Sequence, residues 1–364
     1  MNQAKDRPEA IQLELFTNRF LAIAREMGDM LQRTALSTNV KERLDFSCAI
    51  LDTEGELVVN APHIPVHLGA LGLCVRSARE VIDFSPGDVA VTNHPRFGGA
   101  HLPDISVITP VFANAELLGY VASRAHHAEV GGTRPGSMPP NATTLAEEGV
   151  VISPMYLIKS GKPCWQEISE IFTTAPYPTR ALAENLADLN AAVAANHRGQ
   201  NALATLAEQH GSQTVQHYMN ALKEIAEKRI RQALSNLPDG EYAAIEYLDD
   251  GSPLSVKITV EGDHAHFDFA GTAPTHAGNL NATPAIVRSV IIYVLRLLLN
   301  EPLPLNEGLM RAVTIHLPEC MLNPDFNLAP EKAPAVVAGN VETSQRLVDT
   351  LIKAFGLLAC GQGT

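Results

Sequence analysis

Segments that favour strands and segments that favour helices fall into separate blocks along this chain, and that grouping narrows the fold more than any other feature of the sequence. Short apolar runs at residues 88–92, 105–112 and 117–123 make one block of strands. Runs at 242–248, 254–260 and 265–269, separated by Asp249-Asp250-Gly251-Ser252-Pro253 and Glu261-Gly262-Asp263, predict an antiparallel meander. Between the blocks, residues 180–236 are rich in Ala, Leu, Glu and Gln at helical periodicity. Breaks near residues 196–199 and at His210-Gly211-Ser212 predict two or three helices there. A doubly wound parallel sheet would alternate strand with helix; the blocks instead predict an α+β fold of antiparallel or mixed sheets with segregated helices.

The flanks extend this outline. Phe16, Phe20, Ile23, Met27 and Met30 recur every three or four residues and form one stripe of a long helix over 9–35. Residues 46–51 and 56–60 flank the turn Asp52-Thr53-Glu54-Gly55 and predict a hairpin. Helices are expected over 68–83, 284–300 and 342–359, with a strand at 312–317. A boundary near 238 divides the 364 residues into an α+β part, 1–237, and a meander-plus-helices part, 238–364.

Composition removes several function classes. Lys+Arg 27 against Asp+Glu 40 gives a net charge of −13, so no global positive field exists to attract nucleic acid or an anionic membrane. The most apolar run, residues 285–299, contains Arg288 and Arg296 and is too short to span a bilayer. The 5 cysteines are scattered without a Cys-x-x-Cys pair, and residues 1–10 lack a secretory apolar core, as expected of a cytoplasmic protein with reduced thiols.

The chemistry concentrates in loops at strand ends. His94, His101, Asp104, His126 and His127 fall within 34 residues. If 105–112 and 117–123 pair antiparallel, the start of the first and the end of the second are neighbours, and His101/Asp104 meet His126/His127 at one edge. Two imidazoles and a carboxylate with open positions suit Zn, Mn or Fe; His94 reads as structural. Residues 128–143 hold three Pro and three Gly and predict an ordered functional loop without regular structure. Gly98-Gly99, Gly131-Gly132 and Gly136 permit close approach of backbone to a ligand but form no nucleotide-binding pattern. Lys41-Glu42-Arg43-Leu44-Asp45 and Glu147-Glu148 read as solvated turns, Cys48 and Cys74 as core thiols. Ser47, Ser137 and Ser344 lack a Gly-x-Ser-x-Gly frame.

Six ordered motifs together resemble the hydantoinase B/oxoprolinase family: residues 41–48, Pro65-Val66-His67-Leu68-Gly69, 92–104, 124–132, 135–139 and Gly339-Asn340-Val341-Glu342-Thr343-Ser344-Gln345. The resemblance implies a B-type subunit of an ATP-dependent cyclic-amide hydrolase that opens a hydantoin or 5-oxoproline ring. It also implies a hetero-oligomer with an A-type ATPase subunit that uses the ATP. A subunit of an ATP-dependent ketone carboxylase is the alternative within the family; a truncated, non-catalytic interaction subunit is another. By the same resemblance His101, Asp104 and His126 are metal ligands, with His127 beside them or in their place, and Glu42, Arg43, Asp45 and His67 line the same cavity. The chain departs from the family in carrying His94 and Glu129 where Asp is common. It also ends at Thr364, where relatives continue, so a C-terminally truncated architecture is expected.

Overall fold

The computed structural model describes residues 8–60, 64–67, 69–301 and 303–357. Seven strands form a fully antiparallel sheet in the order β2-β1-β5-β4-β3-β6-β7. They are β1 (Phe46–Leu51), β2 (Leu57–Asn60), β3 (Val89–Thr92), β4 (Asp104–Ala113), β5 (Glu116–His126), β6 (Met155–Lys159) and β7 (Lys162–Pro163). A second sheet contains β8 (Gly240–Tyr247), β9 (Pro253–Glu261), β10 (His264–Asp268) and β11 (Val313–His316). It is mixed, because β11 joins the antiparallel meander parallel to β10. The helices are α1 (Glu9–Thr34), α2 (Thr38–Lys41), α3 (Ala70–Arg79), α4 (Leu145–Glu148), α5 (Trp165–Thr174), α6 (Leu182–His210), α7 (Ser212–Ser235), α8 (Pro284–Leu299) and α9 (Glu342–Phe355). The α+β class follows, with helices laid on sheets rather than threaded between parallel strands.

Strand alternation divides the first sheet into two faces. Cys48 and Ile50 of β1, with Val107 and Val121, join Phe16, Phe20 and Met27 of α1 and Leu189 and Leu203 of α6 in one core. On the other face Ala49, Ile108 and Ala122 meet Leu71, Cys74 and Val75 of α3. The thiols of Cys48 and Cys74 are buried, one on each face, and raised above their ordinary value by burial, so both are core thiols. A further core joins the second sheet to α8 and α9 through Val256, Ile258, Phe267, Ile291 and Leu351. Helix α7 serves two cores, with Val215 and Met219 in the first and Ile230 and Leu234 in the last. Among the described residues no helix is long and apolar enough to cross a membrane.

Three differences from the sequence reading have physical causes. Helix α6 runs unbroken through residues 196–199. Asn196 spends its polar side chain on the sheet, donating to Val107 O at 3.0 Å and Thr109 Oγ1 at 3.2 Å. Gly199 lets α1 close in, since a Cβ there would sit 2.3 Å from Met27 Sδ. Local helix-breaking signals are overridden by packing. The last helix stops at Phe355, where Gly356 at φ 64° supplies a left-handed C-cap. Strands β6 and β7, which the sequence reading did not assign, extend the first sheet to its far edge, and helix α5 follows them. Residues 1–7, Leu68 and the end of the chain, including Cys360 and Thr364, lie outside the described residues.

One buried cation ties these layers together. Lys223 of α7 is 2% exposed and pairs with Asp52 and, at 2.6 Å, with Glu56 of the β1–β2 turn. Arg311 approaches the same Glu56 carboxylate at 2.7 Å.

Candidate metal centre

The pairing of β4 with β5 sets Asp104 directly opposite His126, and a turn closed by Asp104 N–H donating to His101 O at 3.1 Å returns His101 to the same edge. Three donor atoms converge: His101 Nε2 lies 3.1 Å from Asp104 Oδ1 and 3.1 Å from His126 Nδ1, and His126 Nδ1 lies 3.3 Å from Asp104 Oδ1. Despite this proximity no N–H is aligned on Asp104 Oδ1, which is buried without a hydrogen-bond donor. A buried, unpartnered carboxylate oxygen is costly unless something positive completes it. The separations lie between the roughly 3.0 Å and 3.4 Å expected of octahedral and tetrahedral ligands about 2.1 Å from one ion. Two imidazoles and a carboxylate therefore fit the divalent metal, Zn, Mn or Fe, that the motifs imply.

The charges of Asp104 and His101 agree with that fit. Burial would raise Asp104, but attraction to His101 and His67 holds it well below the usual carboxylate range. Burial lowers His101 in spite of Asp104, leaving a neutral ring able to donate a lone pair. His126 is also buried, yet its closeness to the Asp104 carboxylate raises it overall, so a metal bound there would displace its proton. Asp45 Oδ2 lies 3.8 Å from His126 Nδ1, the nearest further carboxylate to that ring.

The surrounding candidates separate clearly. His67 Nε2 lies 3.3 Å from Asp104 Oδ2, on the side away from the converging donors. Leu44, at φ 57°, bends the chain so that Asp45 O accepts from His126 N–H at 2.9 Å and carries the Asp45 side chain to the site. The solvated-turn reading of residues 41–45 holds for Glu42 and Arg43, which are exposed. Arg43 acts on His126 only through its charge. His127 is buried, its Nδ1 3.1 Å from Asn185 Oδ1 of α6, and it is not among the three converging residues. His94 accepts from Arg96 N–H at 3.1 Å and caps a short turn, a structural role.

Several supporting residues escaped the sequence reading. Asn93 is fully buried and donates to Leu102 O at 2.8 Å and Val150 O at 2.9 Å while accepting from Ile152 N–H at 2.7 Å, which clamps the loop carrying His101. Arg124, also fully buried, donates to Ser106 Oγ at 2.8 Å and Gly98 O at 2.7 Å. Both sit inside motif segments, but neither residue type signals a scaffold role by itself.

The Gly/Pro loop at 128–143 is ordered by Glu129, which accepts from Gly131 N–H at 2.7 Å, Gly136 N–H at 2.9 Å and Arg180 Nη1 at 2.9 Å. Close approach at Gly99, Gly131 and Gly132 is to the protein's own backbone, at Asn93 O, Tyr177 O and Glu148 O, rather than to open space for a ligand. The solvated-turn reading of Glu147-Glu148 fails for Glu148. That residue is fully buried and accepts from Val336 N–H and Val337 N–H, both at 2.8 Å. Burial raises its carboxyl from 4.5 to about 8 in spite of those donors. An acid raised on folding contributes stability that is complete below its unfolded value and is lost as pH rises through the folded one. Stability should therefore fall between pH 5 and about 8 more steeply in the native chain than in Glu148→Gln. Denaturant titrations of both proteins across that range test this, and parallel curves would refute it.

Residues 9–364 match the family model described as Hydantoinase B/oxoprolinase. The chain is 44% identical over 386 residues to 5-oxoprolinase 1 of Arabidopsis thaliana, a match covering 99% of this chain and 30% of that protein. It is 29% identical over 361 residues to the B-type subunit assigned to a D-/L-hydantoinase of Pseudomonas sp. strain NS671, covering 92% and 59% of the two chains. Among solved structures it resembles an ATP-dependent caprolactamase from Pseudomonas jessenii, with TM-score 0.84, 26% identity, and coverage of 96% of this chain and 61% of that one. The chain thus spans less than a third of the plant 5-oxoprolinase and about three-fifths of the two bacterial proteins.

Proposed function

Because the chain belongs to the hydantoinase B/oxoprolinase family, we propose that it is the B-type portion of an ATP-dependent cyclic-amide hydrolase, opening a hydantoin or 5-oxoproline ring with an A-type ATPase partner. The observation that carries the reading is the convergence of His101 Nε2, Asp104 Oδ1 and His126 Nδ1 within a chain whose relatives bear 5-oxoprolinase and hydantoinase names. In this reading His101, Asp104 and His126 hold a divalent cation. Such an ion supplies Lewis-acid polarisation of a carbonyl and a water acidified for attack.

The chain's own groups take the other roles. Asp45, with its side chain partly exposed beside His126, is placed to accept a proton from an attacking water. His67 holds the far oxygen of Asp104 and His127 braces the strand end through Asn185. Arg43, exposed beside His126, contributes positive charge at the rim. Glu42 is exposed, and its side chain has no polar partner among the described residues, so a direct role is assigned to Asp45 in preference to it. ATP is used by the partner subunit, in keeping with the lack of a phosphate-binding glycine pattern here.

Co-expression with an A-type subunit, followed by an assay of ATP-dependent ring opening of 5-oxoproline and hydantoins, tests the proposal. Turnover that requires both chains, ATP and a divalent metal is expected. No turnover by the metal-loaded pair on either ring would count against it.

A further inference from the structure

Asp104 has two differently engaged oxygens. Oδ1 faces His101 and His126, whereas Oδ2 lies 3.3 Å from His67 Nε2, and His67 Nδ1 lies in turn 3.0 Å from Ser47 Oγ. Ser47, His67 and Asp104 are 0%, 1% and 0% exposed, so water cannot substitute for any member of the chain. Ser47 lies on β1 opposite Arg124 of β5.

An ionised carboxylate only accepts, so the proton between His67 and Asp104 resides on His67 Nε2. A ring whose single proton is on Nε2 offers Nδ1 as an acceptor, and the Ser47 hydroxyl, 3.0 Å away, is then the group that donates to it. The order Ser–His–Asp is that of a hydrolytic triad, yet its hydroxyl is sealed from any substrate and its hydrogen bond is spent on the ring. A nucleophilic role for Ser47 is excluded by that burial.

We infer that Ser47 is a positioning residue: by donating to His67 it fixes the ring as the Nε2–H tautomer, and His67 then holds Oδ2 so that Asp104 offers a metal only Oδ1. The inference rests on the metal reading proposed above. A single carboxylate oxygen beside two imidazole nitrogens favours Zn2+, which takes nitrogen ligands in small number, over Ca2+, which takes six to eight oxygen ligands at longer distance.

The test titrates the metal-free full chain and its Ser47→Ala variant with Zn2+ against a chromogenic chelator. Ser47→Ala should bind Zn2+ more weakly by up to roughly 10-fold, the low end of the cost of losing a partner that touches a ligand directly, because Ser47 acts through His67. An unchanged affinity in the variant would overturn this inference and leave the metal reading standing; no Zn2+ binding by the unsubstituted chain would overturn both. If Ser47→Ala fails to fold, the protonation of His67 in the unsubstituted metal-free chain, read by nitrogen-15 NMR of labelled histidine, decides the matter. The Nε2–H tautomer supports the inference, and a ring protonated on Nδ1 overturns it.

Discussion

Replacing His101 by Ala should leave a folded protein that no longer retains a divalent metal and, paired with its ATPase partner, loses ring-opening activity by at least about 10^3-fold. The size follows from the geometry: His101 supplies one of the three donors that converge among the described residues, and its loss leaves a nitrogen and an oxygen that cannot enclose an ion. Losses in proteins where a mere supporting contact is removed are about 10–100-fold. Asp104→Asn should behave alike while keeping the side chain's shape, because it removes the charge facing both imidazoles. Metal content after dialysis and turnover with the partner present are the two readouts. Retention of both in either variant would be incompatible with the site.

The largest effect on stability alone is expected at Lys223. Its ammonium is buried between Asp52 and Glu56, and Lys223→Ala would leave two carboxylates facing each other, with Arg311 on Glu56 and backbone N–H groups on Asp52 to offset them in part. Removing one partner of a buried ion pair costs about 3–5 kcal/mol. Here Asp52 and Glu56 are 15% and 27% exposed, so partial hydration should reduce the loss to about 2–3 kcal/mol. Denaturant unfolding measures it, and adding Asp52→Asn to Lys223→Ala should recover part of the loss. A change below about 0.5 kcal/mol in Lys223→Ala would mean that the pair is solvated in practice.

Much of this architecture was legible because the signals were local. The stripe Phe16, Phe20, Ile23 and Met27 lies buried on α1, and the two runs around Asp52-Thr53-Glu54-Gly55 pair as a hairpin with Ala49 opposite Asn60. The juxtaposition of Asp104 and His126 follows from one antiparallel pairing deduced from two adjacent runs. What escaped depends on distant partners. Asn196 and Gly199 look like helix breakers until Val107 and Met27, far away in the chain, give each its role. Glu148 looks like a surface carboxylate until residues 336 and 337 bring backbone N–H groups to it. Ser47 is an ordinary strand residue unless His67 is already in place. The family motifs supplied His67 and Asp45 as members of the site, but only the fold distinguishes the residue behind Asp104 from the residue beside His126.

The most direct test is a crystal structure of the full chain grown with Zn2+ or Mn2+, with diffraction data collected on both sides of the metal's absorption edge. An anomalous peak within about 2.0–2.3 Å of His101 Nε2, Asp104 Oδ1 and His126 Nδ1 is the predicted result. A metal-loaded crystal whose anomalous peaks lie elsewhere, with the three side chains still in mutual contact and no ion between them, would contradict the account.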